Sequence, residues 1–573
     1  MDPQTPPEQS APADSGQQAR LALAHQSAGR FAEALALYRA ILIGAPAYFD
    51  ALHMLGVLAQ QTRNPAAAVY WLEKAVALQP SYADAANNLG VALKAQGQLE
   101  AASAAYRRAL AMRPEHADAH NNLANILKDH GRLAEAESHY RWAVDSRPDS
   151  PEFFSNLLFC LQYSPQCSAQ NLVNAQRQFA QRFEAAQRPA WRPHANAPDS
   201  RRRLKIGYVS GDFRRHPVAY FIEPVLAQHD ATRVEVYAYH NHPTRDAYTE
   251  RIAAAVAHWL PCAHWPDAQL AERIRADGID VLVDLAGHTA YNRMTLFARK
   301  PAPVQVTSLG YPGSSGLTAI DYRLTDRHAE PPGLTESQHS EQLWRLPDAF
   351  FCYRPIADSP ACSARPPLLD KAYVTFACLN NFAKLSDEVL ALWARLLQRV
   401  PASRLLLSVN GLDAGRTRAA IEARLSRLGI APQRVDLLAR VDGAHLSLYQ
   451  GIDIALDPFP FNGHTTSLET LWMGVPLVTL AGQRFVARMG VSVLATTGLH
   501  ELIAQTPEEY IGIAAALARD PARLAALSAG LRQRLKQSPL LDARGFTAQL
   551  EQAYREMFER WCQAARGREQ RGV

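Results

Sequence analysis

The sequence predicts an α + α/β chain, with an all-helical repeat array first and two parallel-sheet α/β domains after it. Three observations predict this. A 34-residue repeat runs from about Ser15 to Ser150, strand and helix runs alternate from Leu204 onward, and a proline-rich break between Arg354 and Pro367 divides those runs in two. The 573 residues leave room for three or four cores. Hydrophobic residues at 48% and charged residues at 20% describe an ordinary globular protein, and a formal charge of +5 spread over this length argues against nucleic acid as a partner. The opening stretch Met1–Pro7 has neither the basic nor the apolar region of a signal peptide, and no apolar run reaches membrane length. The expectation is therefore a cytoplasmic protein without membrane contact. Seven cysteines with no CxxC suit buried free thiols, so neither a disulfide nor a zinc site is expected.

Residues 1–14, rich in Pro, Gln, Ser and Ala, are expected to be a disordered tail. The repeats and connecting helices are then placed at 15–195. Pro46, Pro80, Pro114 and Pro148 share one phase; Ala34, Ala68, Ala102 and Ala136 share a second; Tyr38, Leu72, Tyr106 and Tyr140 share a third. This pattern resembles the tetratricopeptide repeat, a pair of helices per unit, in which small residues permit close packing, Tyr fills the space between helices and Pro ends the second helix. Four full repeats are expected, with Pro151 to Leu161 starting a fifth. Asn88, Asn122 and Asn156 return at one phase, with Asn87 and Asn121 beside the first two. If that phase lines the groove of a superhelix, these side chains can bind the backbone of a polypeptide without reading its sequence. The alternative is that they cap or bridge neighbouring helices.

After a breaker-rich linker at 193–200 the period changes, and the first α/β domain is placed at 201–355. Strands are expected at Leu204–Ser210, Val234–Tyr239 and Ile279–Leu285, with helices at Val218–Gln228, Asp246–Trp259 and Gln269–Ala276. The second α/β domain is placed at 368–573, terminal helices included. Its strands are Tyr373–Ala377, Arg404–Val409, Val435–Leu438, Asp453–Leu456 and Pro476–Leu480; its helices include Asp387–Arg399, Arg416–Leu428 and a last one over about Asp542–Ala565. Two such domains in tandem form a cleft at the carboxyl ends of their strands, where ligands of open sheets bind.

Four loops after strands carry unusual polar clusters: GDFRRHP at 211–217, AGHTAYNR at 286–293, LNNFAKLS at 379–386 and FNGHTT at 461–466. In the last, His464, Thr465 and Thr466 arrive at a helix start, whose unpaired N–H groups and dipole favour a phosphate; a Ser/Thr helix cap is the plainer reading.

With these motifs, LGYPGSSG at 309–316, the stretch DPFPFNGHTTSLETLWMGVPLVTLAG at 457–482 and RMGVSVLATTGL at 488–499, the chain from about Ala19 to Arg560 resembles the O-linked N-acetylglucosaminyltransferase family. The resemblance implies an all-α tetratricopeptide superhelix followed by two Rossmann-like α/β domains in a GT-B arrangement. It also implies UDP-N-acetylglucosamine as donor, protein Ser or Thr hydroxyls as acceptors, inversion at the anomeric carbon and no metal. The residues agree on the last point: no Asp-x-Asp occurs, so the charge building on a departing diphosphate needs a protein cation. Lys384 and the Thr465–Thr466 helix start are the candidates, and Lys384 is expected to be essential. By resemblance, His445 stacks on the uracil, Arg440 to Asp442 reads the base edge, and Glu469 meets the ribose, although relatives carry Asp there. Asn381 stands where relatives carry Gln and is assigned to the diphosphate with His464.

For the acceptor, His216 is the first candidate for general base, with a role in orienting sugar or acceptor as the alternative. His288 and Tyr291 are placed in the cleft lining or just behind it, and relatives carry Tyr at the position of His288. Pro312 and Gly313 are placed in the cleft lining as well. No cofactor is expected, UDP being the product, and the sequence does not fix the oligomeric state. Two rivals stay open: the same scaffold using another nucleotide sugar such as GDP-fucose, and a repeat scaffold whose α/β part is inactive.

Overall fold

A computed structural model describes residues 15–409, 412, 415–439 and 445–570. The tail at 1–14 and the base-edge candidate Arg440 lie outside the described residues. The chain forms two compact units, the first mostly residues up to 128 and 135–148, the second mostly 149–412 and 418 onward.

The first unit is helical. Ser15–Ser27 pairs with Phe31–Gly44, Phe49–Gln61 with Pro65–Leu78, Ala83–Ala95 with Leu99–Met112, and Ala117–Asp129 precedes Leu133–Ser146, giving the four expected repeats. The repeated alanines Ala34, Ala68, Ala102 and Ala136 are fully buried, as are Tyr38, Leu72 and Tyr106. Gly56 and Gly90, at one phase of the repeat, have a steric reason. A Cβ on Gly90 would stand 2.4 Å from the Tyr106 ring, and one on Gly56 2.4 Å from Leu72 Cγ. The large residue of one helix thus fills the space that glycine leaves on its partner. The asparagine phase is engaged inside this unit: Asn88 Nδ2 lies 2.9 Å from His53 Nε2, and Asn122 Nδ2 donates to Asn87 Oδ1 at 3.1 Å. Asn156 belongs to the second unit.

The second unit contains two parallel sheets. The first comprises β1 (Leu204–Ser210), β2 (Val234–His240), β3 (His258–Pro261), β4 (Val281–Asp284), β5 (Val304–Thr307), β6 (Tyr322–Asp326) and β7 (Gln342–Leu346), in the order β3-β2-β1-β4-β5-β6-β7. The second comprises β8 (Val374–Cys378), β9 (Ser403–Val409), β10 (Val435–Ala439), β11 (Ile454–Leu456), β12 (Leu477–Leu480) and β13 (Ile503–Ala504), in the order β10-β9-β8-β11-β12-β13. Counted within each sheet, the second runs 3-2-1-4-5-6, the doubly wound order, and the first runs the same with a seventh strand, β7, added at its edge; the reversal lies between β1 and β4 and between β8 and β11. The helix expected at Asp246–Trp259 is shorter: it spans Ala247–Ala254, and its end becomes the edge strand β3, which pairs Trp259 with Ala238.

Two segments pack differently from their sequence grouping. The terminal helix Ala543–Gln570 returns to the first sheet, where Leu550, Tyr554, Met557 and Phe558 share a core with Ile206, Tyr208, Val218 and Val283. Its Glu551 is buried against His229 Nδ1 at 3.0 Å and accepts from the Asp230 amide at 2.8 Å. The helices Pro151–Tyr163 and Ala169–Phe183, grouped with the repeats, cover the LGYPGSSG loop instead. Gln162 Nε2 donates to Tyr311 Oη at 3.0 Å and Gln176 Nε2 to Ser314 O at 3.2 Å. The two α/β domains are also bonded to each other, since Ser492 Oγ donates to Asp326 Oδ2 at 2.6 Å and Arg488 Nε to His328 O at 3.0 Å.

Candidate active site

The four polar loops occupy the same place in both domains. GDFRRHP follows β1, AGHTAYNR follows β4, LNNFAKLS follows β8 and the FNGHTT segment follows β11, so each pair flanks the point where strand order reverses.

The loop after β11 is built around a buried carboxylate. Asp457 accepts from the Gly463 amide at 2.6 Å and from Thr479 Oγ1 at 2.6 Å. Asn462, also buried, donates from Nδ2 to Pro458 O at 2.9 Å and accepts on Oδ1 from the Gly490 amide at 3.3 Å. These bonds aim the Asn462 carbonyl at Lys384, whose Nζ donates to it at 2.7 Å and to Asn380 Oδ1 at 3.0 Å, over the Phe461 ring. The ammonium is thereby held beside the start of the helix Thr465–Trp472, with Thr465 and Thr466 half-buried at its mouth. Burial pushes the Asp457 carboxyl far up, to about 7, against the bonds from Thr479 and Gly463 and the charge of Lys384.

His464 sits in an aromatic cage. Its ring stacks on Phe221 of the first domain at 4.5 Å with 8° between planes and on Phe350 at 5.4 Å, and meets the Phe351 ring edge-on at 4.4 Å. Its Nε2 is sealed from solvent and has no hydrogen-bond partner. Burial, then the neighbouring Lys384, lowers its pKa to about 3, so the imidazole is neutral. The three phenylalanines thus hold a neutral imidazole in a fixed plane at the start of the helix.

The nucleoside candidates meet each other: His445 Nε2 lies 3.0 Å from Glu469 Oε1. Tyr220 of the first domain faces the same carboxylate, and its phenol is raised to about 12 by burial first, then by Tyr248, with Glu469 adding. Asn381 caps the turn Phe382–Lys384, its Oδ1 accepting from the Ala383 amide at 3.1 Å. Its neighbour Asn380, which the sequence reading passed over, is the one that holds Lys384.

His216 caps the helix Pro217–Leu226, the helix that carries Phe221 to His464. Its Nδ1 lies 3.3 Å from the Val218 amide and 3.4 Å from Asp212 Oδ1. Burial, then Arg214 and His242, lowers its pKa to about 4. Tyr291 is half exposed at 51%, at a positive φ of 58°, with its ring edge-on to His242 at 4.4 Å.

Three of the proposed lining residues do not line a cleft. His288 is 1% exposed; its Nε2 donates to Ser315 O at 2.8 Å, its Nδ1 accepts from Ser155 Oγ at 3.0 Å, and Phe179 and Tyr311 close over it. Both ring nitrogens are used, and burial lowers its pKa to about 4, so it is a neutral strut beneath the helices at 151–183. Pro312 and Gly313 are buried in the same place, with Gly313 O accepting from the Arg323 guanidinium at 2.6 Å. The reading failed here because those helices were assigned to the repeats. It also missed Asp457, Asn380, Asn462 and the phenylalanine cage. Asp457 and Asn462 stand inside the quoted 457–482 motif, at the end of a strand, and that place was the available signal. Among the described residues, no cluster of three or more His, Cys, Asp or Glu side chains is placed to hold a metal ion.

Comparison with known proteins supplies the family. The sequence matches glycosyl transferase family 41 over residues 174–356 and 362–550, and tetratricopeptide repeats over 20–83 and 87–151. The solved structure of a mutant O-GlcNAc transferase from Thermobaculum terrenum superposes with a TM-score of 0.84 at 38% identity, covering 90% of this chain and 98% of that one. Among curated proteins, the probable UDP-N-acetylglucosamine–peptide N-acetylglucosaminyltransferase SPINDLY of Petunia hybrida is 40% identical over 413 residues, 71% of this chain and 44% of the relative. The similarly named SEC of Arabidopsis thaliana is 32% identical over 374 residues, 63% of this chain and 38% of the relative. The chain thus spans less than half the length of the curated relatives it matches. Taken with the paired switch-point loops, these matches place the chain in glycosyl transferase family 41.

Proposed function

We propose that this protein is an inverting, metal-independent glycosyltransferase that moves N-acetylglucosamine from UDP-N-acetylglucosamine to Ser or Thr hydroxyls of polypeptides. The observation that carries the reading is the Lys384 ammonium, fixed by Asn462 O and Asn380 Oδ1 beside the Thr465–Thr466 helix start. Breaking the bond between sugar and diphosphate builds negative charge on the diphosphate, and a fixed cation next to free helix amides stabilises that charge as it forms. His464 contributes a neutral imidazole to the same side, while His445 and Glu469 receive the nucleoside. His216, on the first domain, takes the hydroxyl proton as the acceptor oxygen attacks the face opposite the diphosphate, which inverts the anomeric carbon. The donor and acceptor classes agree with the names of the relatives. No described helix is long and apolar enough to cross a membrane, which suits an acceptor in solution.

A panel of nucleotide sugars tests this, scored for hydrolysis and for transfer to peptide with and without EDTA. Transfer from UDP-N-acetylglucosamine that EDTA leaves intact is the expected result. Use of GDP-fucose without use of UDP-N-acetylglucosamine overturns the donor, loss of transfer in EDTA overturns the metal-free account, and tight UDP binding without turnover points to an inactive scaffold.

A further inference from the structure

A His216 that acts as a base must keep one of its two ring nitrogens free to take a proton. Two neighbours compete for Nδ1. The Val218 amide, at 3.3 Å, can only donate, which places the imidazole proton on Nε2; the Asp212 carboxylate, at 3.4 Å, can only accept when ionised, which places the proton on Nδ1. A base acting through Nε2 needs the second arrangement. Asp212 is set for it by the fold. Its amide donates to the buried Ser210 Oγ at 2.9 Å, fixing the turn after β1, and its side chain is 5% exposed, with the Arg214 guanidinium 3.8 Å away. The Val218 amide is one of the first N–H groups of its helix and has no partner within the helix in any case.

We propose that Asp212 is a positioning residue for His216, holding Nδ1–H so that Nε2 faces the acceptor hydroxyl as the base. This rests on the glycosyl transfer proposed above. In the step, the acceptor oxygen forms its bond to the anomeric carbon while the bond from that carbon to the diphosphate oxygen breaks. The bonding pair leaves with UDP, and the hydroxyl proton moves to His216 Nε2. Asp212 takes no proton; it faces the imidazolium that forms and stabilises it by a charge-assisted hydrogen bond. The groups facing His216 are therefore Asp212 and Arg214 from its own loop and His242 from the loop after β2, one carboxylate against two bases. Burial raises the Asp212 carboxyl to about 6, so its ionised form predominates above that pH.

The test is a double-mutant cycle on transfer to peptide, with UDP affinity and thermal unfolding measured on each variant. His216→Ala is expected to lower kcat about 10²- to 10⁴-fold, and Asp212→Asn about 10²-fold with the donor KM unchanged. On the His216→Ala background, Asp212→Asn is expected to add no further loss. Asp212→Asn also removes the carboxyl whose protonation ends the positioning, so the acid limb of the pH profile moves to lower pH, while Asp212→Glu, which keeps a carboxyl there, retains an acid limb like the parent's. Equal losses from Asp212→Asn on both backgrounds, or a variant that no longer folds or binds UDP, overturn the positioning role. Full activity of His216→Ala overturns instead the assignment of the base on which it rests.

Discussion

The imidazole of His464 lies flat against the ring of Phe221, 4.5 Å between centroids and 8° between planes, although the two come from different domains. The contact ties the donor loop of the second domain to the helix that His216 caps in the first. Phe221→Leu keeps most of the buried volume and removes the flat face. Its cost in stability is expected to stay near 1 kcal/mol, while the His464 ring loses its fixed plane. Because a misplacement of about 1 Å can cost about 10²-fold in rate, kcat is expected to fall at least tenfold, while the unfolding midpoint drops only slightly. A kcat within twofold of the parent would show that the stack only fills space.

Lys384 makes the most direct prediction. Its Nζ is held by two oxygens, one of them the Asn462 carbonyl three residues before Thr465. Lys384→Ala is expected to lower kcat about 10²- to 10³-fold, the range for losing one contact to developing charge. Asn462 keeps its side-chain bonds to Pro458 O and the Gly490 amide, and Asn380 its contact with Cys378 Sγ, so folding by circular dichroism should survive. Residual activity within a few-fold of the parent would assign the lysine a structural role only.

Asp457 predicts a pH dependence of stability. Its carboxyl is raised from 3.8 to about 7 by burial, so the folded chain binds this proton more tightly than the unfolded chain does. The group's contribution is therefore full below about 3.8 and declines as pH rises towards 7. Asp457→Asn removes the titration; it keeps an acceptor for the Gly463 amide, and Thr479 Oγ1 can turn to accept from the new amide. The variant is expected to gain on the parent in urea unfolding at pH 8 relative to pH 5. Asp212 and Asp284, each raised to about 6, titrate in both proteins and cancel in the comparison. A parallel pH dependence of the two proteins would refute the assignment.

The repeats and the strand-end loops were readable because each rests on local pattern: a fixed period, or a polar cluster directly after an apolar run. Where packing between distant segments decides, the pattern is silent. His288 stands in the same kind of loop as His216, yet Ser155 and Phe179, more than a hundred residues upstream, close over it. Phe221, Phe350 and Phe351 read as core residues, and only tertiary structure turns them towards His464. The first two residues of the edge strand β3 were read as the end of a helix because His258–Pro261 is short, has no fully buried residue and exposes its two ends, which blurs the strand signal. The Asn380 and Asn381 pair shows the limit within one loop: resemblance favoured Asn381, whereas the turn directs Asn380 to the lysine.

Gly490, in the RMGVSVL stretch, has a close-approach reason for lacking a side chain. A Cβ there would stand 2.2 Å from Asp457 Oδ2 and 2.5 Å from Thr479 Oγ1, inside the support of the donor loop. Neither neighbour can retreat, since Asp457 is bonded to Gly463 and Thr479 to Asp457. Gly490→Ala is expected to cost about 1–3 kcal/mol by overpacking and to weaken UDP binding with it. An alanine variant with the parent's denaturation midpoint and UDP affinity would mean that the helix carrying it shifts freely.

The asparagine phase of the repeats offers the last prediction. Asn88 and Asn122 are half-buried, and each spends a donor within the first unit, on His53 and on Asn87. An asparagine has two donors and two acceptor lone pairs, more than these bonds consume, so bridging helices and binding a polypeptide are compatible tasks. Asn88→Ala with Asn122→Ala is expected to cost about 0.5–1.5 kcal/mol per lost bond and to weaken capture of a polypeptide acceptor. Hydrolysis of the free nucleotide sugar needs no polypeptide and should be unchanged. Loss of stability with undiminished capture would leave these residues as helix bridges alone; equal loss of transfer and hydrolysis would trace the defect to the catalytic domains instead of the groove.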